Sequence, residues 1–143
     1  MDKITLEIFD KKYISVLLGW YSNPNNRKYM LSQTTTEEDA LKMIRNEEDR
    51  RCYCIKLGDS PIGYIVIMNI KSKIGRIVIM IDEPFTGKGY GFQSLSLLEE
   101  EARKLGIKKL ALEVRTDNYP ANSLYKKFGF NLKYTEAVME KKI

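Results

Sequence analysis

Three glycines, Gly87, Gly89 and Gly91, alternate with Lys88 and Tyr90 directly after Thr86, and two acids, Asp82 and Glu83, stand just before them. Residues of these types at this spacing suit the binding of a phosphate. A glycine has no Cβ, so its backbone can come close to a ligand. The first N–H groups of a helix have no partners inside it, and the dipole there is positive. The chain meets both conditions. An apolar run from Ile77 to Ile81 ends at Asp82-Glu83-Pro84. The glycines then lead into a segment whose apolar stripe, Phe92, Leu95, Leu98, Ala102 and Leu105, has helical spacing. A tight strand-to-helix turn is the plainer reading, but one glycine would serve for that. The loop is not a nucleoside-triphosphate loop, because Gly89 and not Ser or Thr follows Lys88. Nor is it the dinucleotide fingerprint, which would need a glycine where Phe92 stands.

Composition narrows the chemistry. The chain has 143 residues, with 43% hydrophobic and 30% charged, as expected of one soluble domain, 1–143, with a proper core. No apolar run approaches the ~20 residues of a membrane span, so no membrane partner is expected. The first residues lack a signal-peptide core, which points to the cytoplasm. The net charge of +5 suits a phosphorylated ligand. Lysines are scattered along the chain rather than gathered on one helix, which argues against nucleic acid as a partner. The chain has no histidine, which removes Ser-His and Cys-His nucleophilic chemistry and most zinc sites, so no metal is expected. Cys52 and Cys54, two apart in a β-type run, read as small core fillers.

The elements that must position these residues follow from periodicity and punctuation. Ile4–Phe9 reads as a strand. Asp10 caps a helix from Lys11 to Trp20, and Ser22-Asn-Pro-Asn-Asn26 breaks it. Arg27–Leu31 is a short helix or turn. Thr35 with Glu38, or Thr34 with Glu37, forms a capping box for a helix reaching about Glu48. Strands follow at Cys52–Leu57, Ile62–Ile70 and Gly75–Ile81. After the long helix, stopped at Gly106, come a strand at Lys109–Val114, a helix at Tyr119–Phe128 capped by Asp117 or Asn118, and strand material from Phe130 to Ile143, read as a hairpin. The fold class is therefore α/β in a mixed α+β sheet: an antiparallel meander, then a βαβ unit with strands four and five parallel.

Two motifs resemble the GNAT superfamily of acyl-CoA-dependent N-acetyltransferases. Thr86-Gly-Lys-Gly-Tyr-Gly91 is similar to that family's pyrophosphate loop, although Thr86 replaces its usual Arg or Gln. Leu112-Glu-Val-Arg-Thr-Asp-Asn118, with Ala121, Ser123-Leu-Tyr125 and Phe128-Gly-Phe130, is similar to its second motif. The resemblance is clear from Ile62 to Phe130. Toward the N-terminus, Trp20–Arg27 and Thr35–Glu38 look like the branch that includes ribosomal-protein and small-amine acetyltransferases. The resemblance implies acetyl-CoA as cofactor, held by Met80, Ile81, Thr86, Gly87, Lys88, Gly89, Tyr90, Gly91, Asn118, Ser123 and Tyr125. It implies direct transfer to a primary amine, on a small molecule or a peptide, by a monomer or homodimer. A non-catalytic acyl-CoA-binding regulatory module on the same fold is the alternative. The short segment after Phe130 is expected to leave the acceptor side open or to let a second subunit close it.

Acetyl transfer to an amine sets chemical demands that can be assigned. A primary amine at pKa ~10.4 is mostly protonated at neutral pH and must lose that proton. Without histidine, the base is a carboxylate, a tyrosine or a water chain; Glu83 and Asp82 lead, with Glu113 and Tyr29 behind them. A strand-four N–H near Met80 or Ile81 suits the oxyanion. By resemblance Tyr125 is the general acid, and a phenol at pKa ~10 carries the proton that role requires. Asn118 either contacts the cofactor or only caps its helix. Trp20, Tyr21, Tyr29 and Met30 line the acceptor pocket or pack the core.

Overall fold

The computed structural model describes residues 3–30 and 33–143. These fall into two compact units, Met1–Glu113 and Val114–Ile143.

The first unit is built on a five-stranded sheet in the order β1-β2-β3-β4-β5. The strands are β1 (Ile4–Ile8), β2 (Arg50–Leu57), β3 (Ser60–Met68), β4 (Ile74–Ile81) and β5 (Lys109–Ala111). The first three junctions are antiparallel and the last, β4 with β5, is parallel. The meander and the parallel pair are as the sequence implies. β2 and β3 are buried along most of their length because both of their faces are covered. One face carries Cys52, Cys54, Tyr64, Val66 and Met80. It packs against Phe9, which follows β1, and against Leu17, Trp20, Tyr21, Ala40 and Ile44 from the first helical layer. The alternate residues Ile55, Ile65, Ile67 and Ile77 are buried on the other face, together with Leu95, Leu98 and Ala102 of the long helix. The two cysteines are fully buried fillers, and burial pushes each thiol up to about 12.

The first helical layer departs in detail from the sequence reading. Asp10 does cap, accepting from Lys12 N at 2.9 Å, but a 3-10 turn precedes α1 (Ile14–Ser22). The expected breaker is itself a short helix, α2 (Pro24–Arg27). Asn23 caps it, and Pro24 takes the first turn, where a missing N–H costs nothing. Leu31, the end of the turn expected after it, lies outside the described residues. α3 (Glu37–Met43) is capped by Thr36 and not by Thr34 or Thr35, and it stops before Glu48. It ends early because Arg50 and Glu47 exchange backbone hydrogen bonds and Asn46 Oδ1 accepts from Cys52 N, which turns the chain into β2.

The long helix, α4 (Tyr90–Lys104), buries the expected Leu95, Leu98 and Ala102, and also Ser94, whose hydroxyl is satisfied by the Tyr90 carbonyl at 2.7 Å. Two glycines in the sheet are set by space. A Cβ at Gly63 would collide with the Met80 carbonyl oxygen, and one at Gly75 would come within 2.8 Å of Ile67 Cδ1.

The second unit contains α5 (Tyr119–Phe128), closed by Gly129 at φ +110. The hairpin expected from Phe130 to Ile143 is absent: residues 131–143 form no strand or helix. The alternation of Leu132 and Tyr134 specifies a strand only where one face is buried, and here both are exposed. No helix among the described residues is long and apolar enough to cross a membrane.

Candidate functional site

β4 carries the first part of the site. β5 pairs with it only at Ile74, Gly75 and Arg76, and ends at Ala111 rather than at the expected Val114. Glu113 instead forms an ion pair with Arg76, which takes it away from the role of base considered for it. From Ile77 to Ile81, β4 has β3 on one side and no strand among the described residues on the other. Its outward N–H and C=O groups there are available to a ligand.

Beyond Ile81 the chain turns sharply, and the two acids sit on the turn. Asp82 N donates to Ile62 O at 2.7 Å, which holds the corner to β3. A 3-10 turn, Glu83–Phe85, follows. The buried side chain of Asn26 fixes this corner. Its Nδ2 donates to Asp82 Oδ1 at 2.7 Å and to Trp20 O at 3.0 Å, while its Oδ1 accepts from Glu83 N at 2.9 Å. Asn23 Nδ2 reaches Glu83 Oε1 at 3.4 Å. Asp82 is thus half-buried and oriented, whereas Glu83 projects its carboxylate into solvent. Sequence reasoning missed Asn26. In Asn-Pro-Asn-Asn every residue has turn character, and only the packing of α2 shows which asparagine points inward.

The glycine loop is the second part. Gly87 and Gly89 adopt φ +73 and +85, conformations that an L side chain resists, and a Cβ at either would project into open space. Gly91 already lies in the first turn of α4. Gly89 occupies the N-cap without a side-chain cap, and the first turn of α4 carries no acid. Its leading N–H groups therefore keep their donors and their positive field for an anion. Lys88 is exposed beside them. Thr86 uses its hydroxyl to close the preceding turn, donating to the Glu83 carbonyl at 2.7 Å. Met80, Ile81, Asp82, Glu83 and Thr86–Gly91 thus form one continuous corner of the first unit.

Asn118, Ser123 and Tyr125 all belong to α5 and its cap in the second unit, but Ser123 and Tyr125, two apart, point to different faces of the helix. Asn118 is the cap, its Oδ1 accepting from Ala121 N at 3.3 Å. Ser123 is exposed and Tyr125 half-buried. The Tyr125 ring meets Phe130 edge-on at 5.8 Å, and burial pushes its phenol up to about 12.

Of the aromatic residues considered for an acceptor pocket, Trp20 and Tyr21 are core, and Met30 packs against that core. The Tyr21 hydroxyl lies 2.7 Å from that of Tyr64, the residue paired with Met80 across β3 and β4. Tyr29 is half-buried.

The acetyltransferase (GNAT) family model matches residues 16–130. The N-acetyltransferase YycN of Bacillus subtilis (strain 168), itself uncharacterized, is 46% identical over 61 residues. That match spans 43% of this chain and 38% of the relative's length. Among solved structures, the ribosomal L7/L12 alpha-N-protein acetyltransferase RimL, in complex with coenzyme A, superposes with a TM-score of 0.81 at 20% identity. The superposition covers 92% of this chain and 81% of that one. The spermidine N-acetyltransferase of Vibrio cholerae, in complex with CoA and spermine, gives 0.78 at 16% identity, covering 88% and 79%. At these identities the two structures are alike in fold.

Proposed function

Because the chain belongs to the acetyltransferase (GNAT) family, we propose that it is an acetyl-CoA-dependent enzyme of the cytoplasm that moves an acetyl group directly to a primary amine. The observation that carries this reading is the corner where the unpaired end of β4 leads, through Gly87 and Gly89 at positive φ, into the uncapped start of α4. The fit to a pyrophosphate-bearing cofactor rests on those free donors and on the open space before the two glycines. The acceptors named for two structural neighbours are consistent with this reading: RimL is named for a ribosomal protein's α-amine, and the Vibrio cholerae enzyme for spermidine.

Bound acetyl-CoA would supply an activated thioester. The residues of this chain would do the rest. The N–H groups from Gly87 to Phe92, with Lys88, hold the pyrophosphate. Met80 turns its N–H toward β3, in phase with Asp82 N, so the outward N–H of Ile81 would receive the negative charge that develops on the carbonyl oxygen. Glu83, whose carboxylate is more exposed than that of Asp82, takes the ammonium proton directly or through water, so that the nitrogen gains its lone pair. Asp82, held by Asn26, keeps the turn in place. As the carbon–sulfur bond breaks, Tyr125 donates a hydrogen bond to the departing sulfur. A thiol at pKa ~8.5 is the stronger acid of the two, so the phenol stabilises the thiolate and keeps its proton, which the thiolate obtains from solvent or from the amine. This narrows the role of general acid that the motif implies.

The test is thermal unfolding with acetyl-CoA, CoA, NADH and ATP side by side, followed by a thiol-release screen over amines. A ligand at a hundred times its dissociation constant adds ~2.7 kcal/mol, which raises the midpoint by roughly 5–15 °C for a domain of this size. A rise with acetyl-CoA and CoA alone, plus thiol release with one class of amine, is expected. A rise without thiol release against any amine would leave a regulatory CoA-binding module. A rise with NADH or ATP alone would overturn the reading of the loop.

A further inference from the structure

A cavity of about 340 Å³ lies between α3 and the sheet face that carries Val66, Met68 and Val78. Those three side chains are its apolar floor. Lys42, Arg45 and Arg50 line its polar side, against a single carboxylate, Asp39. Two of the cations already have exposed partners: Lys42 pairs with Glu38 at 3.5 Å and Arg45 with Glu47 at 2.9 Å. Arg50 differs. It is 7% exposed, it forms no ion pair with a described residue, and its Nη1 donates to the Arg45 carbonyl at 2.5 Å. Its Nε is buried with no hydrogen-bond partner.

Burying a guanidinium without a counter-charge is costly, and removing one partner of such a pair is costly for the same reason. An arginine keeps its charge in a protein, so the cost cannot be escaped by losing a proton. Burial does lower the Arg50 pKa, the direction expected of a cation short of a partner. What would relieve the cost is an anion supplied from outside. With Nη1 occupied and Nε without a partner, the guanidinium keeps donor capacity that a carboxylate entering beside it could satisfy. The volume falls within the range of small-molecule sites, and an apolar floor with a few convergent polar groups is their usual lining.

We propose that this pocket binds a small organic carboxylate, its head on Arg50 and its apolar tail over Val66, Met68 and Val78. The Arg50 end of the pocket lies away from the acyl-transfer corner: Arg50 pairs with Met68, four residues along β3 from Tyr64, the partner of Met80, which at ~3.3 Å per residue is ~13 Å along the strand. The floor reaches closer, to Val78, two residues from Met80 on β4.

The test uses the whole chain without acetyl-CoA, so it does not depend on the acetyltransferase reading. Calorimetric titrations are run with hexanoate, 1-hexanol and inorganic phosphate. Hexanoate is expected to bind saturably at millimolar concentration, and the other two not. Affinity should fall at least tenfold in Arg50→Met and also in Val78→Met, which fills the floor but keeps the charge. Arg50→Met should fold, since it removes a buried charge that has no partner. No hexanoate binding to the parent chain would overturn the proposal. So would hexanol binding equally well, phosphate binding in place of hexanoate, or hexanoate binding undiminished in Arg50→Met.

Discussion

Tyr125 and Asn26 serve the proposed chemistry in different ways, and their substitutions should separate cleanly. With its phenol pushed up to about 12, Tyr125 stays protonated at every pH at which the enzyme would be assayed. Tyr125→Phe should therefore lower kcat, by ~10²-fold if the hydrogen bond to the departing sulfur has the weight of a typical proton-donor contact. It should leave the acetyl-CoA dissociation constant nearly unchanged and should not alter the shape of the pH–rate profile below pH 10. A changed basic limb, or an unchanged kcat, would remove Tyr125 from this role. Asn26 touches Asp82, the Glu83 backbone and the Trp20 carbonyl. Asn26→Ala strips partners from buried groups at all three places, so a loss of ~1–3 kcal/mol in urea unfolding is expected, together with reduced turnover. Full stability in Asn26→Ala would show that the corner is held by other groups.

The glycines show how far elements could be read from residues. The strand–loop–helix unit was legible because its signals are local: an apolar run, turn residues, then a stripe at helical spacing. The parallel pair and the meander followed from the order of such units. What escaped is non-local. The early end of β5, the cap at Thr36, the inward-facing Asn26 and the unpaired residues 131–143 each depend on what packs against them, which spacing along one segment does not record. Gly63 belongs to this second kind. It carries no turn signal and lies within β3, yet a Cβ there would strike the Met80 carbonyl of the neighbouring strand. Gly89 is the reverse case, with open space before it but φ +85. The two substitutions to Ala should differ accordingly. Gly63→Ala must push β3 from β4 and should cost ~2–4 kcal/mol, with a lowered Tm. Gly89→Ala should cost only ~1–2 kcal/mol from the left-handed backbone, while weakening acetyl-CoA binding. Equal losses of stability in the two would refute the distinction between a glycine kept for space and one kept for conformation.

The sheet is covered on both faces, and this makes the whole molecule sensitive to base. Cys52 and Cys54 are fully buried, and burial holds both thiols near 12; Tyr64, buried beside Tyr21, is shifted in the same direction, first by burial. An unfolded chain releases its thiol protons near pH ~8.5, whereas the folded chain keeps them to about 12. Between those values the unfolded state binds fewer protons, so folding free energy must decline as pH rises, and the contribution is fully present only below ~8.5. The slope reaches at most ~1.4 kcal/mol per pH unit for each thiol. Urea unfolding at pH 7, 8, 9.5 and 10.5 should thus show a plateau over the first two points and a progressive loss over the others. The Cys52→Ala, Cys54→Ala double variant should be less stable at pH 7, because two small cavities open in the core, but its decline above pH 9 should be shallower. If parent and double variant lose stability in parallel, the thiols are not what titrates. The alkaline limit would then belong to the phenols that burial shifts upward, Tyr64, Tyr53 and Tyr125, and Tyr64→Phe should make the decline shallower.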